Sequence, residues 1–224
     1  MFEDRDDAGG RLGEALDGHP WLSGNGDALV LGIPRGGVPI AYQVSRALDC
    51  PMDLMLTRKI KIPWNPEAGL GAVTSDGTVT LNDRLVAGLP LSRHQVDELA
   101  RETVVEVRRR EEEFRGDAPL PEMEGRTVVL VDDGLASGFT AIAGLRGLAH
   151  REPARVLVAA PCAPRSTVER VAHHAGDVLV LEVDRGPSFA VASHYDRWWD
   201  LADDEVHDYL ARAGREGRFQ PGRR

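Results

Sequence analysis

This chain is short of cysteine, of positive charge and of long apolar runs. Cys50 and Cys162 are its only cysteines in 224 residues, too few for a disulfide framework. With Cys162 beside an apolar strand, two buried free thiols are expected. The net charge of −9 leaves no global positive field, which argues against nucleic acid as a main partner. Local positive loops for a polyphosphate are compatible with that charge. No apolar segment approaches the ~20 residues that span a bilayer. The start, Met1-Phe2-Glu3-Asp4-Arg5-Asp6-Asp7, is polar and acidic, unlike a signal peptide. A cytoplasmic protein with no membrane partner is expected. There is no Gly-x-x-x-x-Gly-Lys-Ser/Thr stretch to support a P-loop nucleotidase. What is present, 42% hydrophobic and 28% charged residues, suits one α/β core with a modest appendage.

The most informative stretch is Val128-Val129-Leu130-Val131-Asp132-Asp133-Gly134-Leu135-Ala136-Ser137-Gly138-Phe139-Thr140. Four apolar residues, three of them valine, read as a buried parallel strand. Two carboxylates stand where it should end, with no nearby sequence partner. A loop with Gly134, Ser137, Gly138 and Thr140 follows, then a helix through Ile142, Leu145 and Leu148. Such a loop can bring backbone N–H groups and two hydroxyls around a phosphate, and the helix dipole adds to the attraction. Asp132 and Asp133 would repel a phosphate, so they need another partner. A vicinal diol is a natural one, because a carboxylate only accepts and two adjacent hydroxyls donate. Phosphate beside a diol points to a ribose 5-phosphate. A strand ending in Asp-Asp also opens response-regulator receiver domains. That reading needs an Asp closing a later strand, whereas Asp177 precedes the strand Val178–Val183.

The same stretch resembles the signature with which type I phosphoribosyltransferases bind phosphoribosyl pyrophosphate (PRPP), with Ser137 where Thr is more usual. The resemblance covers most of residues 25–200. It implies a Mg²⁺-dependent enzyme of nucleotide metabolism that moves the 5-phosphoribosyl group from PRPP to a nitrogen nucleophile and releases pyrophosphate. On this resemblance Asp132, Asp133, Ala136, Ser137, Gly138, Phe139 and Thr140 bind PRPP. Asp132, Asp133 and Asp196 lie near the metal, mostly indirectly, through ribose hydroxyls or water. A homodimer is compatible with the family; the sequence does not fix the oligomeric state. A non-catalytic sensor of PRPP or nucleotide on the same fold is the competing reading, and hydrolysis or phosphorolysis of a nucleotide a third. Several base-specific family members carry an acidic residue where this chain has Ala136, which cannot exchange a proton. Glu67 or His194 could supply that group, and the acceptor stays open.

Taken in order, residues 4–17 read as a helix with Leu12 and Leu16 on one face, ended by Gly18 and Pro20. Gly24-Asn25-Gly26-Asp27 is a turn into the strand Ala28–Ile33. Pro34-Arg35-Gly36-Gly37-Val38-Pro39 follows, then a helix through Ile40, Val44 and Leu48. Gly36 and Gly37 let a ligand approach the main chain. The family resemblance makes this the pyrophosphate loop, with a cis or strained peptide at Arg35–Gly36 or an adjacent bond. Met52–Thr57 reads as a second strand closed by Arg58 and Lys59. In an open parallel sheet that end takes ligands, and Arg35, Arg58 and Lys59 would together hold a departing pyrophosphate as the catalytic cations.

Two prolines in Ile62-Pro63-Trp64-Asn65-Pro66-Glu67 rule out a regular helix, and Gly69–Val73 with Thr78–Leu81 suggests a hairpin. The family places a mobile closing loop in this region. Ser92-Arg93-His94-Gln95 is a capping box for a long helix to about Phe114, with the stripe Val96, Leu99, Thr103, Val107 and Phe114. Its charges Arg108–Arg110 and Glu111–Glu113 read as a solvated face. A Pro- and Gly-containing linker spans 116–126. Arg155–Ala160 is a fourth strand, Ala163–Ala175 a helix, Val178–Val183 a fifth strand. His173 and His174 at that helix's end suit a dipole or capping role better than metal binding. The alternation predicts a doubly wound, mainly parallel five-stranded sheet flanked by helices.

The expected organisation is an N-terminal helix and turn (1–24), a core (25–185), a small C-terminal hood with the last helix from Asp203 (186–213), and a flexible basic tail (214–224). In purine-type family members an aromatic residue in the hood stacks on the base and an acidic residue seven positions later lies near the metal. Phe189 and Asp196 fit that spacing. Phe189 packing a satellite core with Tyr195, Trp198 and Trp199 is equally compatible.

Overall fold

The computed structural model describes residues 1–22, 27–116, 118 and 120–219, without the side chains of 66–68. The expected turn at 24–26, the side chain of Glu67 and the last five residues lie outside that range.

Five strands form the main sheet: β1 (Ala28–Gly32), β2 (Met52–Leu54), β6 (Thr127–Val131), β7 (Arg155–Pro164) and β8 (Asp177–Asp184). They are parallel and lie in the order β2-β1-β6-β7-β8. Burial on both faces explains the valine run of β6. Val129 and Val131 pack with α1 (Arg5–Asp17), α2 (Gly37–Ala47) and α7 (Asp203–Arg215), while Val128 and Leu130 pack with α5 (Phe139–Ala149) and α6 (Arg165–Ala172). Strand order reverses between β1 and β6. The loops leaving their C-terminal ends, 33–37 and 132–138, therefore flank the crevice in which open α/β sheets take ligands. The N–H of Ile33 donates to the Val131 carbonyl at 2.9 Å and holds the two loops side by side.

The second strand differs from its expected length. It leaves the sheet after Leu54, and Arg58 and Lys59 lie on β3 (Thr57–Ile62). The apolar run through Met55 and Leu56 conceals this break. The Met55 N–H still donates to the Gly32 carbonyl at 2.9 Å, after which the chain enters a second sheet. There β3, β4 (Asn65–Thr74) and β5 (Val79–Leu81) are antiparallel, so the expected hairpin is part of a three-stranded sheet. A short helix, α3 (Asp83–Ala87), capped by Asn82, was not foreseen. The long helix α4 (Arg93–Arg115) carries the expected capping box at Ser92 and Gln95 and packs on this sheet.

Its charged face is only partly solvated. Arg115 is 1% exposed and donates to Asp53 at 2.8 and 3.0 Å and to the Leu54 carbonyl at 2.5 Å, with Glu111 on its other side. Strand β7 runs four residues past its expected end at Ala160 and takes in Cys162, which shortens the following helix. Both cysteines are buried and free, and burial pushes their thiols up to about 11 for Cys50 and about 12 for Cys162. Residues 216–219 depart from the expected free tail: Met52 N–H donates to the Arg218 carbonyl at 2.8 Å, and Phe219 is buried. Among the described residues no helix is long and apolar enough to cross a membrane.

Candidate active site

Two loops and the N-terminal helix meet at the C-terminal edge of β1 and β6. After β6 come Asp132 and Asp133. The Asp132 carboxylate accepts the N–H of Asp133 at 2.9 Å. Asp133 accepts from Arg5 Nε at 2.8 Å, where both side chains are largely buried. Burial pushes both carboxyls above the usual range. Asp132 goes well above it, because the Asp133 charge adds to burial, whereas Arg5 restrains the rise at Asp133.

The loop that follows is held from behind. Leu135 N–H donates to the Cys162 carbonyl at 2.9 Å. Thr167 Oγ1 donates to the Ala136 carbonyl at 2.7 Å, and Arg170 donates to the Ser137 carbonyl, also at 2.7 Å. In a trans peptide the C=O and the next N–H point in opposite directions. Drawing the carbonyls of 136 and 137 toward α6 therefore turns the N–H groups of Ser137 and Gly138 to the open side. Phe139 and Thr140 begin α5, and the N–H groups of a helix's first turn have no partner within it. Four consecutive donors thus precede or open the helix without a carbonyl partner inside the loop, a form suited to an anion. Gly138 is required at its place: its φ is 76°, and a Cβ there would meet Thr167 and Val171 at 2.9 Å.

The loop after β1 contains a cis peptide at Pro34–Arg35, one of the bonds the family resemblance indicated. Gly36 touches the Asp133 carboxylate; a Cβ on it would lie 1.9 Å from Oδ2. Gly37 lies against the β6 backbone, where a Cβ would be 2.7 Å from the Val131 carbonyl. The Arg35 side chain is 38% exposed and lies 3.6 Å from Asp203 at the start of α7, which also pairs with Arg110.

The remaining candidates lie outside these two loops. Arg58 pairs with Glu106 of α4 at 2.6 Å, and the Lys59 stem packs over Gly69; both belong to the antiparallel sheet. Phe189 is half-buried against the main core, its ring centroid 5.1 Å from His194. His194 lies 3.0 Å from Glu182 and 3.7 Å from Asp184. Asp196 is exposed, next to Tyr195, whose hydroxyl donates to the Asp133 carbonyl at 2.5 Å. A separate 940 Å³ cavity runs between β5, α4 and Arg146 of α5, and none of the candidate residues lines it.

Sequence reasoning missed Arg5, Tyr195, Thr167 and Arg170. Arg5 left one trace, a cation in the first turn of an otherwise acidic helix start, where the dipole disfavours it. The others act through single hydrogen bonds and leave no pattern.

This architecture defines a class: open α/β proteins that take ligands where the strand order reverses. Within it, residues 13–196 match the phosphoribosyl transferase domain family, and the chain belongs to that family, with the sheet and flanking helices of its type I members. Two Mycobacterium tuberculosis proteins, MT0597 and Rv0571c, provisionally named phosphoribosyl transferases, are each 38% identical over 216 residues, covering 96% of this chain and 48% of theirs. The chain thus spans about half the length of these curated relatives. The crystal structure of TT1426 from Thermus thermophilus matches with a TM-score of 0.76 and 35% identity, covering 95% of this chain and 98% of that one. AQ2163 from Aquifex aeolicus shares the fold at a TM-score of 0.51 and 14% identity, over 80% and 74% of the two chains.

Proposed function

We propose that this chain transfers the 5-phosphoribosyl group from PRPP to a nitrogen nucleophile, a nucleobase or related amine, and releases pyrophosphate. The observation that carries this is the juxtaposition, at one strand-order reversal, of the donor-lined loop 137–140 and the acidic pair Asp132–Asp133. The loop would take the 5-phosphate and the carboxylates the ribose hydroxyls. The names of the relatives support the transfer. A cytoplasmic setting fits the two free thiols.

Mg²⁺ is the cofactor in this reading. The chain side of the site offers carboxylate oxygens, which suit a hard cation. Among the described residues no group of three or more His, Cys, Asp or Glu could enclose an ion. Mg²⁺ fits such a site because it keeps several waters and needs one or two carboxylates beside substrate oxygens. Asp132 and Asp133, with Asp196 as a further carboxylate, would hold it largely through ribose hydroxyls or water. When bound it would neutralise charge on the pyrophosphate.

Arg35, Arg58 and Lys59 would stabilise the leaving pyrophosphate, and the Gly36–Gly37 backbone would admit it closely. In calorimetry, Arg35→Ala, Arg58→Ala and Lys59→Ala should each weaken pyrophosphate binding and leave ribose 5-phosphate binding nearly unchanged. Equal losses for both ligands would show that the two phosphate positions are misplaced.

Phe189 is the proposed base platform, with His194, steadied by Glu182, beside it to exchange a proton in place of Ala136. A base stacked on an aromatic ring gains about 1–3 kcal/mol, whereas a fully buried Phe cut to Ala loses about 3–5 kcal/mol of stability. Phe189→Ala should therefore keep its Tm and PRPP binding. It should lose roughly ten- to hundredfold in affinity for a nucleoside monophosphate. A large fall in Tm with unchanged nucleotide affinity would make Phe189 core packing.

A further inference from the structure

The acidic pair is fixed by a residue outside both ligand loops. Arg5 opens α1 with a side chain only 6% exposed. Besides Asp133, it donates through Nη1 to the Trp199 carbonyl at 2.9 Å, and its guanidinium carbon lies 3.9 Å from the Trp198 ring centroid. Helix energetics do not place a cation there, because the positive end of the dipole repels it. Stability does not require it either, since a buried ion pair is often no better than well-packed apolar groups.

Its partner is held from two further sides. Asp133 Oδ2 rests against the Gly36 backbone, and the Asp133 carbonyl accepts from Tyr195. Arg5 and Tyr195 arrive as one unit. Phe2 N–H donates to the His194 carbonyl at 2.8 Å, Asp196 N–H to the Phe2 carbonyl at 2.8 Å, and Arg197 N–H to the Glu3 carbonyl at 2.9 Å. The Phe2 and Tyr195 rings are 5.5 Å apart. Gly9 and Gly13 let α1 settle closely on α2, where Cβ atoms would meet Gln43 at 2.9 Å and Ala47 at 2.6 Å. The helix that delivers Arg5 is thus seated on the helix that follows the Gly36–Gly37 loop.

We propose that Arg5 is a positioning residue for the ribose site: it engages Asp133 Oδ2 against Gly36 and leaves Oδ1 to accept from a ribose hydroxyl. This rests on the ribose reading of the acidic pair given above. It adds that the N-terminal helix, outside both loops, sets the spacing between the ribose carboxylates and the pyrophosphate loop. Discrimination between ribose and deoxyribose then depends on Arg5.

The test is calorimetric binding of ribose 5-phosphate and 2-deoxyribose 5-phosphate to the whole chain and to Arg5→Met and Arg5→Lys. The unaltered protein should prefer ribose 5-phosphate. Arg5→Met should lose roughly tenfold of that preference, with binding of the deoxy ligand nearly unchanged. Arg5→Lys should fall between, because an ammonium can pair with Asp133 but lacks the fork that also reaches Trp199. A merely structural role would lower Tm and weaken both ligands together, so an Arg5→Met protein with the full preference overturns the proposal. Should Arg5→Met not fold, Arg5→Lys decides: a reduced preference supports the proposal and an unchanged one overturns it. If the unaltered protein shows no preference for ribose, the diol reading of the acidic pair fails and this inference fails with it.

Discussion

Asp132→Asn should weaken PRPP binding roughly ten- to hundredfold, the loss expected when a charged hydrogen-bond acceptor becomes neutral, without destabilising the fold. Asn keeps an oxygen for the Asp133 N–H, and among the described residues Asp132 makes no ion pair that would be lost. The ligand-free protein should become more stable at neutral pH. The Asp132 carboxyl titrates above its usual value in the folded state, through burial and the Asp133 charge. A group with a raised folded value binds its proton more tightly folded than unfolded, so stability falls as pH rises between those two values. The Tm advantage of Asp132→Asn should be near zero around pH 4, close to the unfolded carboxylate value, and grow as pH rises above it until the raised folded-state value is passed. Asp133→Asn should behave differently, leaving the buried Arg5 unpaired at a cost of about 3–5 kcal/mol. Equal PRPP affinity for Asp132→Asn and the unaltered protein, measured by calorimetry, would remove Asp132 from the ligand site.

Arg115→Met should give a large loss of stability. Asp53, 5% exposed, would lose two hydrogen bonds from Arg115 and remain as an unpaired buried carboxylate. Removing one member of a buried pair costs about 3–5 kcal/mol, and each kcal/mol moves Tm by about 2–4 °C in a chain of this size, so Tm should fall by roughly 6–20 °C. Burial already raises the Asp53 carboxyl in the folded state, and Arg115 opposes that rise. Without Arg115 the penalty for the charged form grows at pH values above the unfolded one, so the deficit should shrink as pH falls. Asp53→Asn combined with Arg115→Met should recover most of the loss, because no buried charge is left. A Tm of Arg115→Met within a degree or two of the unaltered protein would show the pair to be dispensable.

These two sites illustrate what could be read from the sequence. The position of Asp132 was legible because the valine run marks a strand buried on both faces, so the residues after it had to stand at the sheet's C-terminal edge. The long helix was legible through Ser92 and Gln95, a local device that needs no tertiary information. Asp53 and Arg115 were not legible: they are 62 residues apart, and a charge at the end of a charged helix looks solvated until its partner strand is in place. The break after Leu54 was hidden for a related reason. An apolar run serves a parallel strand and the crossing into a second sheet equally well, and only the pairing of β1 with β2 shows where one ends. The acidic pair has no partner nearby in the sequence because Arg5 lies 128 residues away.

The most direct measurement is turnover of PRPP. The whole chain is incubated with PRPP, Mg²⁺ and a panel of purine and pyrimidine bases, and pyrophosphate is assayed alongside the nucleotide formed. Pyrophosphate released in equal amount with one nucleoside monophosphate, and abolished by Asp132→Asn, is the result expected of a phosphoribosyl transfer. PRPP that binds but is not consumed with any base would contradict it and identify a sensor; pyrophosphate released without any nucleotide would identify a hydrolase.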